Sequence, residues 1–328
     1  MSGIPVLHAE GDCIARAWEN ALLTLYESGC DIRTQYDKPD DPPSKDATMI
    51  LVVHDPLAEP MIHRDFPGGF EELQEYVMEV CEGIKDHCVR DPGDPADTRW
   101  EYTYHQRLFG YEVPTLAPID QIEQICRRLA ETPHTRRAQA ITWKVWEDNT
   151  CYDPACLQSI WCRISGPGGG REKGEEGREK AEGGRGTVEG PISNPKSEIR
   201  NPKSEIPNPK SQIPTQPLLS MNVRFRSNDA YKAAFMNIFA LTQLQQRIAA
   251  RIEQLSGSPV KLGRYCHIAD SFHIYGCNLA EFEGRFLGAI KKRSFEQRTM
   301  RYEDVRQIME EARPAILEKA RRMGRGAS

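Results

Sequence analysis

The sequence predicts an α/β fold, and three observations carry that expectation. Stretches with apolar residues at helical spacing alternate along the chain with short β-branched or strictly alternating runs. The longest apolar run, 47–53, is far too short to span a bilayer. A low-complexity segment, 166–217, interrupts the chain, yet strand-like runs stand on both sides of it.

Residues 9–28 read as a helix, capped by Asp12, with Ile14, Ala17, Trp18, Ala21, Leu22 and Leu25 on one face and Gly29 ending it. Residues 31–37 and a Pro- and Asp-rich loop, 38–44, follow. By itself Arg33 reads there as a solvated loop cation. Residues 48–53 form a β-branched apolar run, hence a buried strand. Residues 70–84 are helical, with Leu73, Tyr76, Val77, Val80, Cys81 and Ile84 inward and Glu71, Glu72, Glu75, Glu79 and Glu82 mostly on a wet face. The stretch 99–111 is dense in aromatic and hydrogen-bonding groups, which suits a packed layer or a pocket wall. Residues 119–131 are an amphipathic helix, 132–137 turn the chain, and 138–146 are a strand candidate.

The segment 166–217 begins rich in Gly, Glu, Arg and Lys. It then carries three Asn-Pro-Lys-Ser repeats starting at Asn194, Asn201 and Asn208. The seven-residue period suggests a coiled coil, but a proline in every repeat would break the helix. Scarce apolar surface leaves the ordering entropy unopposed, so a disordered insertion is expected. Because 156–165 and 218–226 both read as strands, the insertion falls in the turn of one hairpin. Beyond it lie a long helix (231–255), a strand (263–275), a helix (279–288) and a charged helical tail (294–328). The tail is expected to be peripheral, with Pro314 placed to open a new helix.

A net charge of −5 provides no overall basic bias toward DNA, and nothing suggests a membrane surface. Residues 1–9 show neither a basic leader nor an apolar signal core. Ten cysteines without a framework fit a reducing compartment, and a cytoplasmic location is expected. No cysteine pair has tight ligand spacing, so no metal is expected.

Four stretches carry chemistry. Pro154 and Ala155 deliver Cys156 to the start of a β-type run, which pins a thiol at a strand entrance. Buried free cysteines are usually inert, so the neighbours must decide. Arg136 and Arg137 form a basic pair that alone reads as a solvated turn. Arg226, Ser227, Asn228 and Asp229 precede Asn237, whose place inside a helix asks for a reason. His267 leads to His273 and Tyr275. Guanidiniums fork onto phosphate oxygens, an arginine near a thiol favours thiolate, and an asparagine offers a donor and an acceptor side by side to a pyrimidine edge.

Together, in this order and spacing, these residues resemble the thymidylate synthase family, which includes the deoxycytidylate hydroxymethylases. The likeness runs from residue 120 to 278 with the insertion removed. It implies a thymidylate synthase-like α+β fold in a single catalytic domain: a large mixed sheet covered by helices, in a homodimer packed through its sheets. It implies that Cys156 adds to carbon 6 of deoxyuridylate (dUMP), whose carbon 5 then takes the methylene of the cosubstrate 5,10-methylenetetrahydrofolate. Arg226 and Ser227 resemble phosphate ligands, Arg136 and Arg137 those supplied by the partner subunit, and Arg33 a mobile-loop phosphate arginine. Asn237 resembles the pyrimidine reader, His273 and Tyr275 the ribose ligands, Asp229 the folate-holding carboxylate, and Tyr104 a tyrosine of the proton-transfer network. Glu75 and Glu79 both fit the catalytic glutamate by spacing, with Glu75 preferred.

The chain also departs from the family. Leu157 and Gln158 follow the cysteine where a histidine is common, Phe225 replaces a glutamine, and Ala233 to Asn237 replace a Gly-x-Pro-Phe-Asn string. Residues 325–328 do not match the family's closing tail. A divergent branch is implied. Its alternatives are a hydroxymethylase acting on dUMP or dCMP, and a nucleotide- or RNA-binding protein on the same fold without turnover. An aspartate in place of Asn237 would favour cytosine.

Overall fold

The computed structural model describes residues 3–91, 93–94, 97–166 and 216–323. It begins with β1 (Val6–Gly11), α1 (Ile14–Ser28), β2 (Cys30–Ile32), β3 (Ser44–Val53) and β4 (Ile62–His63). Next come α2 (Phe70–Glu82), α3 (Tyr104–Phe109), α4 (Gln121–Glu131), β5 (Gln139–Ile141) and α5 (Val145–Asp148). β6 (Leu157–Ser165), β7 (Leu218–Phe225), β8 (Asn228–Asp229), α6 (Ala234–Ser256) and β9 (Lys261–Ile274) follow. The chain closes with α7 (Leu279–Glu281), a π-helical stretch (Phe282–Leu287), α8 (Gly288–Lys292), α9 (Phe295–Arg298), β10 (Thr299–Met300) and α10 (Tyr302–Met323).

Eight strands form one mixed sheet in the order β1-β3-β9-β7-β6-β5, with β2 on β3 and β8 on β9. β1/β3 and β7/β9 pair parallel, while β3/β9, β6/β7 and β5/β6 pair antiparallel. The expected hairpin is present: Leu157 faces Phe225 and Ser165 faces Leu218. The insertion itself lies outside the described residues, apart from Gly166, Gln216 and Pro217, and so do residues 324–328.

Strand alternation divides the sheet into two unlike faces. Leu219, Met221, Val223 and Phe225 of β7 are buried and join a core with Trp18, Leu22 and Leu25 of α1 and Phe235, Ile238 and Phe239 of α6. The same strand turns Ser220, Asn222 and Arg224 outward. Trp161 and Cys266 stand in register with Asn222, and Ser159 and Ile268 with Arg224. Most of this row stays partly exposed, and none of it belongs to the core under the helices.

Four local expectations are corrected. The first helix starts at Ile14 behind Cys13, which makes no side-chain cap, and Asp12 does not cap it. Residues 6–11 are instead an edge strand beside β3. Its outer face mixes Val6 with His8 and Glu10, so the local pattern hid it, and pairing overrode propensity. A Cβ at Gly11 would meet the Ala17 nitrogen at 2.4 Å, so only glycine lets this strand approach α1. The strand expected over 138–146 shrinks to β5, because the Lys144 N–H is captured by Asp148 at 2.6 Å and the chain turns into α5. α10 runs through Pro314, which is exposed, so water can serve the carbonyl that lost its donor. The tail lies outside the sheet, as expected, yet it is docked: Val305, Met309, Ile316 and Ala320 are buried, and Arg313 and Lys319 reach Glu82 and Glu75 of α2. No helix among the described residues is long and apolar enough to cross a membrane.

Candidate active site

Cys156 stands in the turn that feeds β6, and that turn is held from two sides. Arg226, just past the end of β7, donates through Nη2 to the Pro154 carbonyl (2.6 Å) and through Nε to the Ala155 carbonyl (3.2 Å). The Arg226 N–H donates to the Cys156 carbonyl at 2.9 Å. From the other side, the Tyr102 hydroxyl accepts from the Cys156 N–H (3.4 Å) and the Tyr104 hydroxyl from the Leu157 N–H (3.3 Å). A β-bulge between Leu157 and Ser159 lets the strand leave this clasp. Burial pushes the Cys156 thiol up, while the Arg226 charge and a Tyr102 hydrogen bond pull against it.

β8 and β9 bring a second group to the same place. Asp229 accepts from the Tyr231 and Lys232 N–H groups at 3.0 and 2.8 Å, and burial raises its carboxyl despite those bonds. His273 is buried, its Nδ1 3.2 Å from Ser271 Oγ, which donates to Asp46 at 2.8 Å. Its Nε2 is buried and has no protein partner. The His273 and Tyr275 rings are 4.5 Å apart, and burial with the Asp229 charge pushes the Tyr275 phenol up to about 12. Ser227 is half-buried on the turn between Arg226 and Asn228.

α6 and α2 supply the third side. Asn237, buried in the first turn of α6, accepts a short hydrogen bond from the Tyr76 hydroxyl. A carbonyl oxygen has two lone pairs, so Asn237 keeps one acceptor site and its amide donors. Tyr76, Glu79, Trp100, Tyr102, Tyr104 and Asp153 line a cavity of about 250 Å³ beside this cluster. Of the two glutamates left open by spacing, the cavity wall includes Glu79 and not Glu75. Glu75 is engaged by Lys85 at 2.7 Å and Lys319 at 2.6 Å. Burial would raise its carboxyl, but those two ammonium groups outweigh burial and hold it down. Glu79 is raised by burial, with Lys85 at 3.0 Å opposing. Glu75, preferred by spacing, is thus held by two ammonium groups outside the cavity wall, and Glu79 stands in that wall. A larger cleft, about 460 Å³, opens beyond Glu101; Cys156 is in the wall of neither, but its backbone partners Tyr102 and Tyr104 line the smaller one. The larger cleft's cations are matched by anions, as in Arg107–Asp148 and Arg90–Glu101.

Three predicted arginines stay away from the thiol. Arg33 is exposed and donates to the Lys38 carbonyl at 3.3 Å. Its loop nonetheless reaches the site, because the Tyr36 ring is 6.0 Å from that of Tyr275. The return of the loop is tight: a Cβ on Gly276 would meet the Pro42 carbonyl at 1.8 Å. Arg136 and Arg137 are exposed just before β5, where the Arg136 carbonyl accepts from Trp161 on the open sheet face at 3.1 Å.

Sequence reasoning assigned no site role to Tyr76, Tyr102 or the support under Phe225. Tyr76 and Glu79 lie three residues apart on α2, a spacing that could have flagged the pair. His267 is fully buried, 2.9 Å from Asn228 Oδ1 and 3.0 Å from the Tyr265 hydroxyl. An amide oxygen cannot donate, so Nε2 carries the proton and Nδ1 accepts. Burial drops the ring to about 3, which keeps it neutral. Phe225 stacks on it at 4.7 Å as an apolar prop.

No family model matches the sequence. A protein of Methanosarcina mazei named "Putative thymidylate synthase" is 27% identical over 144 residues. That match covers 44% of this chain, which spans 58% of the relative's length. A Methanocaldococcus jannaschii protein of the same name is 24% identical over 270 residues, covering 80% of this chain and 87% of the relative. Among solved structures, thermostable thymidylate synthase A from Bacillus subtilis aligns with a TM-score of 0.49 at 14% identity, over 84% of each chain.

Proposed function

The chain is a divergent relative of the thymidylate synthase-like proteins, and we propose that it methylates deoxyuridylate to thymidylate through a covalent adduct on Cys156, with 5,10-methylenetetrahydrofolate as cosubstrate. The observation that carries this reading is the clasp on Cys156. An arginine from the end of β7 and two tyrosines near α3 hold one cysteine turn, beside an asparagine and a histidine from two further elements. An inert core thiol needs no such frame.

In this reading Arg226 and Ser227 hold the phosphate, Asn237 reads the pyrimidine edge, and the free His273 Nε2 with Tyr275 takes the ribose hydroxyl. Cys156 adds as thiolate to carbon 6, and the electron pair moves toward carbon 5 and the ring carbonyl. Arg226 favours the anion against the burial that opposes it. Glu79, whose carboxyl burial raises, holds or releases a proton beside the ring, with the Tyr104 phenol completing that network. The donor set suits a folate: Trp100 gives an apolar rim, and the buried Asp229 carboxylate suits a pterin's adjoining N–H groups. When bound, that cosubstrate supplies the one-carbon unit and the hydride, leaving as dihydrofolate. Loss of the carbon 5 proton and β-elimination of the thiolate complete the balance.

A second copy completes this reading. Arg136 and Arg137 flank the open sheet face and do not reach Cys156 within one chain. Sheet-to-sheet pairing would carry them to the partner's phosphate site.

The test is tritium release from [5-³H]deoxyuridylate with and without methylenetetrahydrofolate. Release that requires the folate, accompanied by dihydrofolate, and a loss of at least about 10³-fold in Cys156→Ser are expected. Hydroxymethylated product without dihydrofolate would transfer the chain to the hydroxymethylases. Nucleotide binding with no release would leave a binding protein.

A further inference from the structure

α10 is docked beside the cavity, and one of its charges enters a line of four alternating groups. Lys319 Nζ lies 2.6 Å from Glu75 Oε2, Glu75 Oε1 lies 2.7 Å from Lys85 Nζ, and Lys85 Nζ lies 3.0 Å from Glu79 Oε2. The inner members are well shielded, with side-chain exposures of 8% for Glu75, 10% for Lys85 and 16% for Glu79, whereas Lys319 is 56% exposed. Glu79 alone of the four lines the cavity. Lys85 is held in place from above, 5.3 Å from the Trp100 ring centre.

We propose that Lys319 and Glu75 are positioning residues that set the proton affinity of Glu79 by controlling how far Lys85 is shared with it. This rests on the reading of Glu79 as the acid–base group. The argument is electrostatic. One ammonium between two carboxylates divides its stabilisation, and a second ammonium on the outer carboxylate leaves more of the first for the inner one. Removing Lys319 deletes a positive charge and draws Lys85 toward Glu75, and both changes favour protonated Glu79. Removing the Glu75 charge does the opposite: Lys85 turns wholly to Glu79, and one repulsive neighbour disappears.

The other cations on the neighbouring elements are already engaged, and so is Asp86, the remaining carboxylate acting on Glu79. Asp86, across the turn, is paired with His105 at 2.6 Å. Arg247 of α6 and Arg313 of α10 are both taken by Glu82. Glu101 is paired with Arg90 at 2.6 Å. Tyr76 and Tyr102 are held neutral by phenols that burial raises, and Asp153, which shares the cavity wall, is an anion. Lys85 is therefore the cation left to set Glu79, and α10 supplies its counterweight.

The experiment is a carboxyl-carbon NMR titration of ¹³C-glutamate-labelled full-length protein without substrate, with the Glu79 signal assigned from its absence in Glu79→Gln. Lys319→Met should raise the Glu79 midpoint and Glu75→Gln should lower it, each by on the order of half a pH unit. Lys319→Arg should restore the wild-type midpoint. Equal midpoints in all forms, or shifts of the same sign in Lys319→Met and Glu75→Gln, overturn the proposal. Lys319 is largely exposed, so the Lys319→Met and Lys319→Arg pair decides the matter even where Glu75→Gln fails to fold. The readout needs no turnover. Absence of tritium release would reject the assigned reaction, while the midpoints judge the relay separately.

Discussion

Two regions of the molecule bury polar groups at similar depth and treat them in opposite ways. Under α9, Glu19 is 2% exposed and fully served: Arg298 donates through Nε and Nη2 at 2.9 Å each, and His63 Nε2 lies at 3.1 Å. Burial alone would raise this carboxyl, but the His63 and Arg298 hydrogen bonds outweigh it and hold it at about 2. Around Cys156 the pairing is incomplete. His273 Nε2 and Asp46 Oδ1 are buried without a protein partner, and the Cys156 thiol and Glu79 carboxyl are both raised by burial. A buried charge that is fully paired is a strut. A buried group left short of partners costs stability, and beside a cavity it is free to meet a ligand.

The largest effect should come from breaking the strut. Arg298→Met strands the Glu19 carboxylate in the core and is expected to cost about 3–5 kcal/mol in urea unfolding. A loss under about 1 kcal/mol would show that the triad is not the strut described here. The same triad sets a pH dependence. The folded carboxyl titrates at about 2 against an ordinary 4.5. The unfolded chain therefore binds the proton more tightly, and stability from Glu19 is present above about pH 4.5. It is lost as pH falls from there toward 2, by about 3 kcal/mol in total. Acid unfolding curves should show this slope in the wild type and a flatter one in Arg298→Met.

The other half of the comparison predicts the reverse pattern. In His273→Phe the unpartnered Nε2 disappears, so unfolding free energy should change by less than about 1 kcal/mol, while deoxyuridylate binding weakens roughly tenfold. Calorimetric titration and unfolding on one preparation give both numbers. Unchanged binding beside a large stability loss would make His273 a second strut.

This contrast also marks how far the sequence could be read. The inward stripe Leu219, Met221, Val223 and Phe225 announces β7, and its pairing with β6 follows even though a long low-complexity segment lies between them. The Pro154, Ala155, Cys156 turn and the Arg226 to Asp229 run are visible for a related reason: their chemistry is carried by neighbours in sequence. What stayed hidden depends on groups far apart. Glu75 and Glu79 share a helical face, and Lys319, 244 residues away, pairs with Glu75. The tyrosine bonds that hold the cysteine turn reach backbone N–H groups over 53 and 54 residues, which no side-chain pattern encodes. β1 escaped notice because the local pattern around Ala9 is compatible with a helix start until β3 lies beside it.

Between strut and site lies a half-exposed junction that grades the comparison. Glu82 at the end of α2 accepts from Arg247 of α6 at 2.6 Å and Arg313 of α10 at 2.9 Å, tying three helices together. Burial would raise its carboxyl, but the two guanidiniums outweigh burial and lower it. Arg247 and Arg313 are 46% and 30% exposed, so water screens much of that attraction. Glu82→Gln should therefore cost only about 1 kcal/mol, well below Arg298→Met. Its more telling consequence is positional. α10 loses one of its two ion-pair anchors on α2, and the Lys319–Glu75 contact must hold the helix alone. Amide hydrogen exchange over residues 310–323 should quicken in Glu82→Gln while exchange in β7 and β9 stays unchanged. Equal protection of α10 in both forms would mean that the buried face of Val305, Met309, Ile316 and Ala320 docks the helix without help from its charges.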